Sequence, residues 1–187
     1  MSQPSIDLRD PYKAAFLAWL VPGLGHYYQG RTGKALLYAL CILGLYFVGF
    51  FLGEGKVVYW RWVSPLSNPE KFCIYYPGQF FVGLPALPAL IQGTLHYLAP
   101  NMDAPFWGFM AEPPQNVLNG MHPRLSKLVE IGTIYTTVAG LLNILAIYDA
   151  FEGPAYLEAE QPEAEQPAAA VEAIAAGREG VKAGGPA

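Results

Sequence analysis

With 187 residues, the chain has the length of a single domain, and it is 53% hydrophobic but only 14% charged, which is too little charge for an ordinary soluble surface. The net charge of −4 arises in residues 152–187, where seven acids outnumber two bases, whereas the rest of the chain has eight acids and nine bases. This composition gives no support for a nucleic-acid partner and predicts an integral membrane protein.

The first apolar stretch, Ala14–Tyr28, follows a polar N-terminus at residues 1–13 and is interrupted by a Pro-Gly pair. No small-residue cleavage site follows it, which argues against a removable signal peptide. If the stretch crosses the membrane, the chain has four spans. If it is a half-inserted hairpin arm, three spans remain, and the distribution of basic residues slightly favours this alternative.

Three longer apolar stretches follow, at Ala35–Gly53, Gly78–Ala99 and Ile131–Phe151. The first of them has no charged residue and would span roughly 28 Å as a helix, close to the hydrocarbon thickness of a bilayer. Pro85 and Pro88 are expected to kink the second. The pattern predicts an all-α integral membrane helical bundle at residues 14–153, with three full spans and a short N-terminal hairpin helix.

Beyond the apolar stretches, residues 54–77 form a loop rich in Tyr and Trp, whose rings suit the headgroup region. From residue 154 onward the composition changes to Ala, Glu, Pro, Gln and Gly. Such a segment buries too little apolar area to offset the entropy lost on ordering. Residues 154–187 are therefore predicted to be a disordered, acidic tail.

The stretch LVPGLGHYYQGRTGK, which begins at Leu20, is predicted to be a tight turn between two helices. Its basic residues can hold lipid phosphate or simply anchor the turn at the headgroups, and simple anchoring is the preferred interpretation. A phosphate-binding loop is disfavoured, because no Gly-Lys-Ser/Thr sequence ends the stretch. The residues singled out are Pro22, Gly23, Gly25, His26, Tyr28, Gly30, Arg31 and Lys34.

This turn resembles that of the two-transmembrane ("TM-two") domain family, whose helical hairpin has a glycine- and histidine-containing turn followed by a basic residue. The matching positions are Gly23, Gly25, His26, Tyr28, Gly30 and Lys34. The family's second helix ends near an aspartate, and Asp149 looks similar, although a long insertion precedes it here. The chain also resembles an uncharacterised bacterial multi-pass family that pairs a PGLGHYYQGR-type turn with an AGLLNIL-x-IYDA segment. This resemblance implies a location in the bacterial cytoplasmic (inner) membrane and no established activity.

Polar residues inside apolar stretches are functional candidates, because they are costly in hydrocarbon. Here they are Gln92, His96, Asn143 and Asp149. A proton relay would require Asp149 to lie near His96 or His26, and haem ligation would require the two histidines to face each other. The preferred interpretation is that these groups form hydrogen bonds to neighbouring helices.

Small residues recur at helical spacing in the first and last of the longer stretches, at Gly49, Gly53, Gly132, Thr136 and Gly140. Small faces let helix backbones approach closely in a membrane. We expect these faces to pack within one chain, with homodimerisation as the alternative.

Nothing in the sequence forms a catalytic set, a metal-binding motif or a cofactor motif, and the two cysteines, Cys41 and Cys73, form a disulfide only if their segments meet. The expected function is that of a non-enzymatic membrane scaffold or interaction protein, without metal or cofactor. Its expected partners are the lipid bilayer and either further copies of itself or other membrane proteins. The alternative is a small transporter, channel subunit or lipid-handling protein that uses the intramembrane polar residues.

Overall fold

The computed structural model describes residues 9–64, 66, 68, 72–100, 105–114, 116–117, 120 and 127–153, and every regular element in these residues is helical, which confirms the all-α prediction. The α-helices are α1 (Pro11–Leu20), α2 (Leu24–Tyr28), α3 (Thr32–Leu52), α4 (Tyr76–Phe80), α5 (Leu87–Leu98) and α6 (Leu128–Glu152). Single 3₁₀ turns lie at Leu84–Ala86 and Pro105–Gly108. The chain divides into two units, Met1–Phe151 and Glu152–Ala187, and the predicted tail at residues 154–187 lies outside the described residues.

Helices α1 and α2 form a hairpin, which we name the N-terminal hairpin. Asp10 starts α1, because its carboxylate accepts hydrogen bonds from the first backbone N–H groups of the helix. The chain reverses at Gly23, whose φ of 88° is unfavourable for any residue with a side chain. Helix α2 then returns along α1, so close that a Cβ at Gly25 would clash with the carbonyl oxygen of Ala14. Ala14–Tyr28 is therefore two short antiparallel helices.

Helices α3 and α6 are the two described helices that are long and apolar enough to cross a membrane. They run antiparallel, since Gly49 packs on Gly132 at one end of the pair and Tyr38 reaches Asp149 at the other. A π-helical turn at Ala39–Leu43 interrupts the α-helical hydrogen bonding of α3. The two helices form the frame on which the remaining elements pack.

The stretch Gly78–Ala99, predicted as a full span, is instead the greater part of a second hairpin, which we name the central hairpin. Its first helix, α4, ends before Gly83, which adopts a φ of 84°. The Tyr76 hydroxyl then donates a hydrogen bond of 2.9 Å to the carbonyl oxygen of Ala86. Residues ten apart in a straight helix would be separated by about 15 Å, so the chain must double back.

Trp60 lies beside both arms of the central hairpin. Its ring centroid is 5.2 Å from that of Tyr76, and its carbonyl oxygen packs against Gly93 of α5. The two prolines expected to kink a span have another role, because Pro85 lies in the 3₁₀ turn and Pro88 in the first turn of α5. In the first turn of a helix the backbone N–H groups have no acceptor within the helix, so a proline there costs no hydrogen bond.

The tips of the two hairpins meet between α3 and α6. The rings of Trp19 and Phe80 lie 5.5 Å apart, and a Cβ at Gly83 would lie 2.7 Å from the carbonyl oxygen of Leu20. Because the N-terminal hairpin begins at the Asp149 end of α6 and the central hairpin at the Gly132 end, the hairpins approach from opposite ends. This arrangement replaces the predicted set of three parallel or antiparallel spans.

Loops close the end of the frame where α3 finishes. Val57 and Val58 are buried there, and Arg61 forms an ion pair with Glu112. Both cysteines are free thiols, with Cys41 exposed on α3 and Cys73 half-buried in this loop region. The disulfide alternative therefore does not hold.

Candidate functional site

The turn between α2 and α3 meets the last turns of α6 in a group of polar side chains, which we name the Asp149 cluster. Its members are His26, Gln29, Arg31, Lys34, Tyr38 and Asp149. The N-terminal hairpin returns the turn to the end of the frame where α6 finishes. The structure thus brings together the turn motif and the IYDA segment, two parts of the sequence that lie far apart along the chain.

Arg31 and Gln29 bind the backbone as well as the side chain at the end of α6. Arg31 Nη2 donates to Asp149 Oδ2 at 2.7 Å, and Nη1 donates to the Asp149 carbonyl oxygen at 3.0 Å. Gln29 Nε2 donates to the Ala150 carbonyl oxygen at 2.6 Å. Carbonyl groups in the last turn of a helix have no N–H partner within the helix. Arg31 and Gln29 supply such partners, so their side chains cap α6. The Arg31 charge also opposes the negative end of the helix dipole.

Lys34 and Tyr38 approach Asp149 from α3, where a spacing of four residues places them on one face. Lys34 Nζ lies 3.3 Å from both carboxylate oxygens, and the Tyr38 hydroxyl lies 3.5 Å from Oδ2. The Lys34 side chain is 42% exposed, whereas that of Arg31 is only 6% exposed. Lys34 therefore faces the outside of the cluster and Arg31 its interior.

His26 lies behind the carboxylate and is fully buried. Its Nε2 is 2.8 Å from Asp149 Oδ2, and its ring packs on that of Tyr38 with centroids 4.7 Å apart. Because Arg31 and Lys34 favour an ionised Asp149, Nε2 carries the hydrogen and donates it. Nδ1 then has no hydrogen-bond partner among the described residues.

The cluster is arranged for neutralising charge and fixing a helix end. Asp149 Oδ2 is approached by four donors, from His26, Arg31, Lys34 and Tyr38, which leaves it little capacity to accept a proton from a substrate. No group of three or more His, Cys, Asp or Glu residues in the described part of the chain is placed to hold a metal ion. The proton-relay alternative required either His26 or His96 to lie near Asp149. His26 lies within hydrogen-bond distance of Asp149, whereas His96 is not part of the cluster.

The other turn residues shape the hairpin rather than the cluster. Pro22 is buried at the point where the chain reverses, and a Cβ at Gly23 would clash with the Ala35 carbonyl oxygen of α3. Gly30 adopts a φ of 78° between α2 and α3. Tyr28 lies at the edge of the hairpin, with the Arg9 guanidinium 5.3 Å from its ring centroid.

Asn143 forms a second polar site, where the hairpin tips meet. Its Nδ2 donates to the Ala18 carbonyl oxygen at 3.1 Å and to the Phe81 carbonyl oxygen at 2.8 Å, each at the end of a short helix. Its side chain is fully buried, and Oδ1 has no partner among the described residues. Asn143 thus joins α6 to both hairpins.

Gln92 and His96, two of the polar residues singled out from the apolar stretches, do not form a common site. Gln92 is buried, and its Oε1 has no hydrogen-bond partner in the described residues, whereas His96 is exposed. Neither contributes to the Asp149 cluster.

The small residues lie where helix backbones come closest. A Cβ at Gly49 would lie 2.7 Å from the Gly132 carbonyl oxygen, and a Cβ at Gly132 would lie 3.0 Å from the backbone nitrogen of Gly53. A Cβ at Gly140 would clash with the Gly78 carbonyl oxygen of the central hairpin. Thr136 is fully buried on the same side of α6 and accepts a hydrogen bond from Gln79.

Three participating residues were not singled out from the sequence, namely Gln29, Tyr38 and Gln79. Tyr38 could have been found, because it follows Lys34 by one helical turn. Gln79 could also have been found, since it is a polar residue within an apolar stretch and donates to Thr136 and to the Val57 carbonyl oxygen. Gln29 gave no signal beyond its place in the turn.

Comparison with known proteins places the chain in a family but not in a functional class. No curated protein and no solved structure matches it. A family of unknown function, DUF6677, matches residues 13–163, which is most of the chain and includes both parts of the Asp149 cluster. The chain therefore belongs to DUF6677, a family of unknown function.

Proposed function

We propose that this protein is a non-enzymatic, multi-pass integral membrane scaffold or interaction protein of the bacterial cytoplasmic membrane. The membrane location is supported by the exposure of α3 and α6. Within the most apolar 18-residue stretch of each helix, only 28% of α3 and 33% of α6 is buried inside the protein. The core helix of a soluble protein would be mostly buried. Exposed apolar side chains along both helices instead suit a hydrocarbon solvent, as at Leu36, Leu40, Phe51 and Leu145.

The proposed topology has two full spans, α3 and α6, and two re-entrant hairpins. Irregular backbone at membrane depth is tolerated only where protein surrounds it. The hairpin tips meet this condition, because α6 and the opposite hairpin cover them and Asn143 bonds two of their carbonyl groups. Both ends of the described chain then share one side of the membrane.

The Asp149 cluster is the observation that carries the scaffold proposal. His26, Gln29, Arg31 and Lys34 all bind the end of α6, so the most distinctive motif of the sequence joins the N-terminal hairpin to the helix that leads into the tail. A carboxylate held by so many donors serves stability better than proton transfer. The cluster thus holds the C-terminal end of α6 against the N-terminal hairpin, which supports a structural role.

Removal of the tail tests this proposal. A chain ending at Gly153 should insert and accumulate like the full chain, since the cluster remains complete. Chemical crosslinking in membranes followed by pull-down should then recover fewer copies of the protein and fewer membrane neighbours. Equal recovery from both chains, or loss of insertion, would contradict the proposal.

A small transporter or channel subunit is the second candidate, favoured by the meeting of the two hairpins. Discontinuous helices that end near the middle of a membrane often place backbone carbonyls and half-helix ends around a substrate or ion. Asn143 Oδ1 is buried there, and no described residue donates a hydrogen bond to it, which suits a transient ligand or water molecule. The variant Asn143→Ala should abolish a flux in reconstituted vesicles if this candidate is correct, whereas a scaffold shows no flux in either form.

Asp149→Asn distinguishes the two candidates further. A transport role predicts a folded variant without activity, since the amide keeps the shape but loses the charge. A role in holding the hairpin predicts that the variant accumulates poorly, because Arg31 loses its ionic partner.

A further inference from the structure

An open groove lies along the N-terminal hairpin, and its lining residues are not members of the Asp149 cluster. Its volume is about 370 Å³, and its lining residues are Tyr12, Lys13, Phe16, Leu17 and Tyr28. The first four lie on one side of α1 because they follow a helical spacing, and Tyr28 closes the groove from α2. The surface of this lining is almost wholly apolar, so Lys13 contributes the carbon stem of its side chain to the groove wall.

Charge and apolar surface are separated along the groove. Lys13 lies in the first turn of α1, at the end of the frame where the hairpin starts, and its side chain is 70% exposed. Phe16 and Leu17 follow one turn deeper, about 5–6 Å further along the helix axis. A cation at the mouth and carbon surface behind it match a molecule with an anionic head and an apolar chain.

One further basic residue lies beside the groove. The Arg9 guanidinium lies over the ring of Tyr28, one of the lining residues. Asp10 Oδ1 caps α1, while Asp10 Oδ2 forms an exposed ion pair with Lys13 Nζ at 3.1 Å. Exposed pairs of this kind contribute little, and a lysine ammonium has three donors, so Lys13 can bind a phosphate while it stays near Asp10.

We propose that this groove binds one anionic phospholipid from the surrounding bilayer, with its phosphate at Lys13 and an acyl chain along Phe16 and Leu17. This inference rests on the proposed membrane location but not on the scaffold role. A basic side chain near a membrane surface attracts anionic lipid by about 1 kcal/mol, which corresponds to roughly a fivefold preference. The groove adds a contact surface that an isolated lysine lacks.

Native mass spectrometry of the full chain tests the proposal, after extraction from nanodiscs with equal amounts of phosphatidylglycerol and phosphatidylcholine. The wild-type chain should retain phosphatidylglycerol in preference, and Lys13→Gln should reduce that preference about fivefold. Lys56→Gln is the matched control, because Lys56 lies beyond the other end of α3. An equal loss in both variants, or no loss in Lys13→Gln, would overturn the proposal.

The apolar half of the groove needs its own variant. Leu17→Gln places an amide on the groove wall and should weaken retention of phosphatidylglycerol while Lys13 is still present. If that variant does not stay monodisperse, Phe16→Gln serves instead, since Phe16 is 58% exposed. Unchanged retention would overturn the proposed path of the acyl chain. Alkaline carbonate extraction, done first, shows separately whether the chain is embedded in the membrane.

Discussion

Arg31 binds Asp149 twice, through the carboxylate at 2.7 Å and through the backbone carbonyl oxygen at 3.0 Å, and so joins the start of α3 to the end of α6. Lys34 approaches the same carboxylate at 3.3 Å from a much more exposed position. The two basic residues of the turn motif therefore have different roles, although the sequence alone does not distinguish them.

Replacing these two residues separately should reveal the difference. Arg31→Gln removes a donor from the Asp149 carboxylate and another from the Asp149 carbonyl oxygen, and it should lower the free energy of unfolding by about 2–4 kcal/mol. Lys34→Gln removes an exposed partner and should cost no more than about 1 kcal/mol. Apparent melting temperatures in detergent measure both effects. Similar shifts for the two variants would show that the structure assigns the cluster incorrectly.

The all-α class and most members of the Asp149 cluster could be predicted from the sequence. Polar residues in apolar stretches and glycines in turns can be recognised from their sequence neighbours alone. The sequence could not predict that His26 and Asp149 touch, since that contact depends on how the hairpin folds back. The stretch Gly78–Ala99 was misread for a similar reason. Its composition suits a span, and only the positive φ of Gly83 and its contact with α1 reveal that the chain reverses there.

The contact between α3 and α6 at Gly49 and Gly132 leaves no space for a side chain. Gly132→Ala should push the helices apart and lower the free energy of unfolding by about 1–3 kcal/mol. Gly44→Ala is the control on α3, because a Cβ there meets no described atom within 4 Å. That variant should be neutral or slightly stabilising, since alanine favours helix. Thermal unfolding in detergent compares the two, and equal effects would contradict the close packing.

The Cys73 thiol should alkylate with an unusual pH dependence. Burial raises the pKa of Cys73, although the nearby Arg61 charge opposes the shift. The thiolate is the reactive form, so a raised pKa reduces its population at any given pH and moves the rise in alkylation rate to higher pH. The measurement uses Cys41→Ser protein, with a Tyr75→Cys, Cys41→Ser, Cys73→Ser chain as the exposed control. Coincident pH profiles, whatever their absolute rates, would show that Cys73 is not buried.

The direction of the central hairpin gives the sharpest test of the topology. If Gly78–Ala99 crossed the membrane as one helix, Tyr75 and Tyr97 would lie on opposite sides. Because the chain doubles back at Gly83, both should lie on the same side, and both are exposed, at 53% and 64%. Single cysteines at these positions, in a chain lacking Cys41 and Cys73, should react with a membrane-impermeant maleimide from the same side of sealed vesicles. A cysteine in place of Tyr12, which is 75% exposed near the start of α1, should react only from the other side, because the N-terminal hairpin begins at the Asp149 end of the frame. Labelling of Tyr75→Cys and Tyr97→Cys from opposite sides would show that Gly78–Ala99 is a third full span. It would contradict the central hairpin and its contact with the N-terminal hairpin at Asn143.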